Sequence, residues 1–249
     1  VEDGHIVVVS GGARIQLVEL QRLGFTTGGK VRFQVQNALA ATAAAWGAGL
    51  NPAMIVRALT TFRTSTAMVP GRFNVSDISG VQVILDYGHN LAAMQALGDA
   101  ITAFGQRRTT MVIGLPGDRR DGDLLATFKA TFSFADRYIL HDLEDRRGRE
   151  ALAVPRLLQG ALPDGKTCEL ASHQDEAIQT AWAALRPGER LIVIADEVGP
   201  AIAALRSLHT LQQNHEEDLC ESPLEENESA LGGRMLPRDS SPEHVVAHA

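Results

Sequence analysis

The chain has 249 residues, of which 45% are hydrophobic, enough for one or two globular domains with sizeable cores. Its net charge of −7 argues against a nucleic acid or a membrane surface as its partner. Two cysteines exclude a disulfide framework and favour a reducing compartment, so we expect a cytoplasmic protein. We expect neither a signal peptide nor a membrane span, because no run of about 18 apolar residues occurs.

Residues 1–65 are predicted to be the end of one domain, with two strands followed by two helices. These elements are predicted over His5–Ser10, Ala13–Leu20, Val35–Trp46 and Pro52–Phe62. Asn51 and Pro52 are a favourable cap and first-turn pair for the second helix. The polar stretch Arg63–Pro70 is predicted to be a linker, which places the domain boundary near residue 65.

Residues 66–208 are predicted to form a second domain of the α/β class, because strand and helix patterns alternate as they do around a mostly parallel sheet. The predicted strands are Phe73–Ile78, Val81–Tyr87, Thr110–Ile113, Tyr138–Leu140, Cys168–Ala171 and Leu191–Ala195. The predicted helices are Leu91–Phe104, Asp123–Phe134, Pro155–Leu162, Ala177–Leu185 with a capping box of Ser172 and Asp175 before it, and Ala201–Leu208. Residues 209–249 contain nine acidic residues and two arginines, a composition that predicts a disordered acidic tail.

Ligands of open α/β sheets bind beyond the carboxyl ends of the strands, and polar clusters follow four of the predicted strands. In the first cluster, Asp86–Asn90, Asp86 can accept hydrogen bonds from ribose hydroxyls, and the helix start favours an anion. The alternative is that Asn90 only caps the helix. Just before this domain's first strand, Pro70–Arg72 places a guanidinium beside a turn, where it is either a ligand group or an ordinary linker arginine.

The other three clusters mix acidic and basic residues. Gly114–Asp121 contains arginines that can bind a carboxylate or a phosphate, and Asp142–Glu150 has the mixed charge that suits an amino-acid ligand. Asp196 and Glu197 close the last strand. Each cluster has a structural alternative: local ion pairs in the two loops, and stabilisation of a helix dipole by Asp196 and Glu197.

Several other classes of site are disfavoured. Gly28–Lys30 lacks the spacing and the hydroxyl residue of a phosphate loop, and no glycine fingerprint of a dinucleotide-dependent oxidoreductase stands between a strand and a helix. No set of His, Cys and carboxylate residues has the spacing of a closed metal site. A non-catalytic module that binds a nucleotide or an amino acid remains an alternative to an enzyme.

Three segments closely resemble the back half of the Mur ligases, which are ATP-dependent enzymes that join a carboxylate to an amino acid. They are Gln36–Ala41, Pro70–Phe73 and Asp86–Asn90. Two arginine-rich stretches, Pro116–Asp121 and Asp145–Arg149, resemble the branch of this superfamily that builds an aspartate polymer with arginine side groups. Cell-wall and folate ligases of the same superfamily are the alternative.

The resemblance implies a Rossmann-like, mostly parallel C-terminal domain preceded by the last strands and helices of a central ATP-binding domain. It implies that the chain is part of a longer enzyme and inactive alone, with the phosphate loop and the magnesium ligands outside it. ATP, arginine and an aspartate-containing polymer are the implied ligands, with Mg²⁺ as cofactor, no nucleic acid or membrane as partner, and a homo-oligomer left open.

The resemblance also implies roles for individual residues. Arg72 is expected to act on the γ-phosphate as the catalytic residue, and Asp86 to bind the ribose. His89, Asn90, Gln34 and Asn37 are expected near the nucleotide. The residues expected to bind the substrate are Asp118, Arg119, Glu144, Asp145, Arg147, Asp196 and Glu197. Among these, Glu144 and Asp145 suit an arginine guanidinium, because carboxylates pair with it bidentately.

Overall fold

A computed structural model describes residues 1–208. The predicted acidic tail, residues 209–249, lies outside the described residues. Within them, no helix is both long enough and apolar enough to cross a bilayer.

The first 62 residues form a small unit of two strands and two helices, as predicted. Its elements are β1 His5–Ser10, β2 Ala13–Glu19, α1 Arg32–Gly47 and α2 Pro52–Thr61. The strands pair antiparallel, and two short 3₁₀ turns, Leu20–Arg22 and Gly24–Thr26, lead into α1. Helix α1 begins three residues before the predicted start, and the Asn51 side chain caps α2 by accepting a hydrogen bond from the Ala53 amide at 2.8 Å. The apolar side chains between strands and helices form a core of their own.

The second unit is built on a six-stranded sheet with the strand order β3-β4-β8-β5-β6-β7. The strands are β3 Asn74–Ile78, β4 Val81–Asp86, β5 Thr109–Ile113, β6 Arg137–His141, β7 Thr167–Ala171 and β8 Arg190–Ile194. All neighbours pair parallel except β3 and β4, which form a hairpin. Ser79 and Gly80 turn this hairpin with φ values of 50° and 78°, which match the right-handed twist of the strands.

Helices cover both faces of the sheet, which explains why its strands are continuous apolar runs. The helices are α3 Leu91–Ala103, α4 Asp121–Lys129, α5 Ala153–Gln159, α6 Gln174–Ala183 and α7, residues 198–208. Helices α3, α4 and α5 pack on one face with Met111 and Ile113 of the central strand β5. Helices α6 and α7 pack on the other face with Val112. The α/β class with a mostly parallel sheet is therefore confirmed.

Two local predictions were wrong. The helix predicted to reach Phe134 ends at Lys129, because the Thr131 hydroxyl bonds the Phe128 carbonyl at 2.7 Å and the chain turns there. The predicted capping box of Ser172 and Asp175 is displaced by one residue. His173 occupies the cap position without a side-chain bond, and Glu176 accepts a hydrogen bond from the Ser172 amide at 2.7 Å.

Candidate functional site

A cavity of about 740 Å³ lies between α1 and α2 on one side and the carboxyl end of β4 with the start of α3 on the other. All six residues predicted to bind the nucleotide line it: Gln34, Asn37, Arg72, Asp86, His89 and Asn90. The sheet edge and the two helices therefore bring together residues as far apart in sequence as Gln34 and Asn90.

A strained turn places Arg72 at this cavity. Gly71 and Phe73 on either side of it have φ values of 68° and 51°, and a positive φ is unusual for a bulky residue such as phenylalanine. The Phe73 amide donates a hydrogen bond to Asp86 Oδ2 at 2.8 Å, and its ring packs edge-on against Phe33 of α1 at 5.1 Å. These contacts hold the turn in its conformation. The exposed Arg72 guanidinium lies over the Tyr87 ring, 5.1 Å from its centroid.

Asp86 connects this turn to the strand that follows it. Its Oδ2 accepts from the Phe73 amide, and its Oδ1 accepts from the Gly88 amide at 2.6 Å. Burial raises the pKa of Asp86, and the two amide bonds and the Arg72 charge oppose that rise. Each carboxylate oxygen has a second lone pair, so the residue can hold the turn and still accept a ligand hydroxyl.

Asn74 is a structural residue that the sequence patterns did not reveal. It is buried, its Oδ1 accepts from the Gly71 amide at 2.7 Å, and its Nδ2 donates to the carbonyls of Thr64 and Val69 at 2.9 and 3.0 Å. One side chain therefore fastens the linker to β3 just before Arg72. An asparagine at a strand start is too common a feature to have indicated this.

Each of the other predicted nucleotide residues uses one polar side-chain atom in a hydrogen bond within the protein. Asn90 Oδ1 caps α3 by accepting a hydrogen bond from the Ala93 amide at 3.0 Å. The prediction that Asn90 caps the helix is therefore confirmed. The His89 ring bonds the Tyr87 carbonyl through Nδ1 at 2.9 Å. On α1, Asn37 Nδ2 donates to Oε1 of the buried Gln34 at 3.2 Å.

The chemistry of this cavity fits an adenine nucleotide. Its apolar wall, formed by Phe25, Phe33, Leu59, Phe62 and Phe73, suits a planar base. The rest of its lining offers a carboxylate, an imidazole, three side-chain amides and a guanidinium. A metal ion fits less well, because within residues 1–208 no three His, Cys, Asp or Glu side chains converge in a way that could hold one.

The two arginine-rich loops beyond β5 and β6 pair with each other. Arg147 bonds Asp118 at 3.0 Å, and Asp145 accepts from the Arg147 amide at 2.9 Å. Arg149 bonds Asp121 at 2.8 Å, and it donates to the carbonyls of Gly117 and Arg119 at 2.7 Å each. Pairing with Arg147 lowers the pKa of Asp118 and raises that of Arg147. The structure therefore gives five of the loop charges partners within the loops, as the alternative of local ion pairs predicted, and they are Asp118, Asp121, Asp145, Arg147 and Arg149.

A second, smaller cavity of about 170 Å³ lies at the carboxyl ends of β6 and β8, beside the start of α6. It takes in three of the predicted substrate residues, Glu144, Asp196 and Glu197. The sequence patterns missed other residues around it, among them His141, Gln174 and Asp175. Asp118, Arg119, Asp145 and Arg147 lie outside its lining.

Residues 71–196 match the family model of the Mur ligase glutamate ligase domain, and the chain belongs to the Mur ligase family. The predicted resemblance is thus confirmed. The relatives also include the branch anticipated from the arginine-rich loops. The chain is 30% identical over 209 residues to the cyanophycin synthetase of Synechocystis sp., a match that covers 83% of this chain and 24% of that protein.

Solved structures of other ligases share the fold, and two of them illustrate the likeness. A pseudomurein peptide ligase type C from Methanothermus fervidus is 22% identical with a TM-score of 0.60, over 84% of this chain and 41% of that one. FolC of E. coli, in complex with DHPP and ADP, is 23% identical with a TM-score of 0.56, over 69% of this chain and 39% of that one. The chain spans about a quarter of the length of the cyanophycin synthetases that it matches.

Proposed function

We propose that this chain supplies the nucleotide- and amino-acid-binding part of a cytoplasmic, ATP-dependent amide ligase. Residues 1–65 would be the end of its central domain and residues 66–208 its C-terminal domain. The ligase would join arginine to the side-chain carboxylate of an aspartate-containing polymer, as in cyanophycin synthesis. The observation that carries the proposal is the convergence of six predicted nucleotide residues on one cavity, with an acidic cavity further along the same sheet edge.

The proposed nucleotide contacts are made by residues that line the larger cavity. The base would lie against the apolar wall near His89, Asn90, Gln34 and Asn37, and the ribose hydroxyls would bond the free lone pairs of Asp86. Arg72 would reach the γ-phosphate from the turn that Phe73 and Asp86 hold. The ADP bound to FolC, which shares this fold, supports an adenine nucleotide as the ligand.

The proposed reaction has two steps. The polymer carboxylate attacks the γ-phosphorus, which forms an acyl phosphate and releases ADP. The α-amine of arginine then attacks the acyl carbon, and phosphate leaves with the bonding electrons while the amine loses a proton. Positioning and charge stabilisation dominate such chemistry, so a guanidinium held beside the phosphate is a suitable catalytic group. Mg²⁺ enters the proposal as the ion that accompanies ATP and offsets phosphate charge.

Three of the seven predicted substrate residues line the smaller cavity, and we propose that they bind the amino acid. Glu144, Asp196 and Glu197 surround the smaller cavity and can receive a cationic substrate. Asp118, Arg119, Asp145 and Arg147 lie outside the lining of this cavity, and we retain them as proposed substrate residues on the resemblance alone.

Calorimetric titration of the chain with ADP and with a non-hydrolysable ATP analogue tests the nucleotide assignment. Arg72→Met should weaken the analogue at least tenfold, about 1.4 kcal/mol, because it removes a charge-assisted contact to the γ-phosphate. The same variant should leave ADP binding nearly unchanged. Arg57→Met is the matched control, because Arg57 is an exposed arginine of α2 outside the cavity lining. Equal weakening of both nucleotides, or of neither, would contradict the assignment.

A further inference from the structure

The smaller cavity contains two hydrogen-bond acceptors that have no donor. Among the described residues, two buried side-chain nitrogen or oxygen atoms are without a hydrogen-bond partner, His141 Nε2 and Gln174 Oε1. Both residues line this cavity. Buried polar atoms without a partner within the protein are rare, so two at one cavity indicate that this cavity is built to receive a ligand.

The chemical identity of the first atom follows from its ring. His141 is 1% exposed, and its Nδ1 lies 2.8 Å from the Asp142 carbonyl oxygen. A carbonyl only accepts, so Nδ1 must carry the proton and donate. Burial lowers the pKa of His141, which keeps the imidazole neutral near pH 7. Nε2 is therefore a bare lone pair that only a donor can satisfy.

The second atom is identified in the same way. The side-chain Nε2 of Gln174 donates to the Glu197 carbonyl at 2.9 Å, which fixes the orientation of the amide. Oε1 is then the atom left without a partner, and it too is an acceptor. Five carboxylate residues complete the surroundings, and they are Asp142, Glu144, Asp175, Asp196 and Glu197. This part of the cavity offers lone pairs and negative charge.

We propose that His141 and Gln174 are specificity-determining residues that select a guanidinium group in this cavity. A guanidinium carries five N–H donors, no acceptor and a permanent positive charge, so it satisfies both orphaned acceptors and the surrounding carboxylates together. A group with an acceptor at the same place would face the lone pairs of His141 and Gln174 and be rejected. The inference rests on the proposed function, since it takes arginine to be the amino acid that is joined.

Binding of L-arginine and L-citrulline tests this selection. Citrulline has the same length but carries a neutral urea, in which a carbonyl oxygen replaces one guanidinium nitrogen. Calorimetric titration of the 249-residue chain should show arginine binding at least tenfold more tightly than citrulline. Gln174→Met keeps the side-chain length and removes the acceptor, so it should lower the arginine-to-citrulline ratio several-fold. Gln95→Met, on the exposed side of α3, should leave the ratio unchanged.

The His141 variants separate a specificity role from a structural one. His141→Leu should also lower the ratio, and His141→Gln, which can present an amide oxygen near the position of Nε2, should restore part of it. Circular dichroism establishes that each variant is folded. Because Gln174 is only half buried on a helix start, its variant decides the question even if His141→Leu does not fold.

Two results would overturn the inference: no detectable arginine binding, or a ratio that stays the same in folded Gln174→Met. The nucleotide titration of the same sample distinguishes this failure from that of the proposed function. Arg72-dependent binding of the ATP analogue without arginine selectivity would reject the guanidinium site alone. Absence of that nucleotide dependence would reject the proposed function itself.

Discussion

At the scale of single residues, Asp86 organises the larger cavity. Its carboxylate holds the amides of Phe73 and Gly88, so the turn that carries Arg72 and the turn that carries His89 share one anchor. Gly88 is required beside it, because a Cβ there would lie 2.7 Å from Asp86 Oδ1 and 2.7 Å from the Ala93 Cβ. The proposed ribose contact would therefore use a carboxylate that folding has already positioned.

The sequence motif indicated Asp86 as a candidate ribose ligand. It could not predict that the same carboxylate also binds the amides of Phe73 and Gly88. An acidic residue at a strand end followed by a helix cap is visible as a pattern. The positive φ of Phe73 is not, because no local rule expects a phenylalanine there. The conformation exists because the Asp86 bond and the packing on Phe33, both long-range contacts, hold it in place.

The buried His141 predicts a pH dependence of stability. Burial lowers the pKa of His141, against the opposing effects of the Asp142 carbonyl bond and the carboxylates of Asp142, Asp196 and Asp175. In the unfolded chain its pKa is about 6.5. As the pH falls below that value, the unfolded state takes up a proton that the folded state does not, so the free energy of unfolding decreases.

Urea denaturation at pH 7.5 and pH 5.5 measures this effect in the wild type and in His141→Gln. The variant should lose less stability between the two pH values, because it lacks the depressed group. The other histidines and the carboxylates contribute to both proteins and cancel in the comparison. An equal or larger loss in the variant would show that His141 does not titrate in this way.

At the scale of elements, the sheet was predictable and its connections were less so. The apolar runs of β4, β5, β6 and β8 stand out because both faces of these strands are buried. The observed helix ends differ from the predicted ones by several residues. Helix α4, for example, ends at Lys129, because a buried threonine rather than a glycine or proline stops it. The sequence could not predict that the two charged loops pair with each other. The charges of a loop that contains both acidic and basic residues can be neutralised either by nearby protein residues or by a ligand.

The contact between the linker and α7 leads to a prediction about Gly71. A Cβ on Gly71 would lie 2.5 Å from Val198 Cγ2, and its φ of 68° disfavours any side chain. Gly71→Ala should therefore destabilise the chain by about 2–4 kcal/mol, from backbone strain and overpacking together. Adding Val198→Ala removes the clash but not the strain. In the double-mutant cycle of Gly71→Ala and Val198→Ala, the double variant should be more stable than the sum of the two single changes predicts, by about 1 kcal/mol or more.

Chemical denaturation of the four proteins measures this cycle. Gly122→Ala is the matched control, because no atom lies within 4 Å of the Cβ it would add. It lies in the first turn of α4, where alanine fits a helical backbone at least as well as glycine, so the change should not destabilise the chain. If Gly71→Ala were as harmless as Gly122→Ala, the close approach of the linker to α7 would not exist in solution.

At the scale of the whole molecule, the fold places two cavities of different chemistry along one edge of the sheet. The larger cavity joins that edge to α1 and α2 and has an apolar wall, whereas the smaller one lies at the ends of β6 and β8 and is acidic. The rule that ligands bind at the carboxyl ends of strands predicted this edge. It could not predict that Glu144 would reach the smaller cavity while the adjacent Asp145 pairs with Arg147, because that depends on the path of the loop.

Hydrogen exchange of backbone amides, measured with ADP and with L-arginine in separate samples, tests whether the nucleotide and the amino acid bind in separate cavities. We expect ADP to slow exchange at residues 71–73, which form the turn that carries Arg72, and at residues 86–93, which run from the end of β4 to the start of α3. Arginine should instead slow exchange at residues 141–144 and 172–175, beside the smaller one. Protection by both ligands at the same amides, or by neither ligand at these segments, would contradict an amide ligase with separate nucleotide and amino-acid cavities.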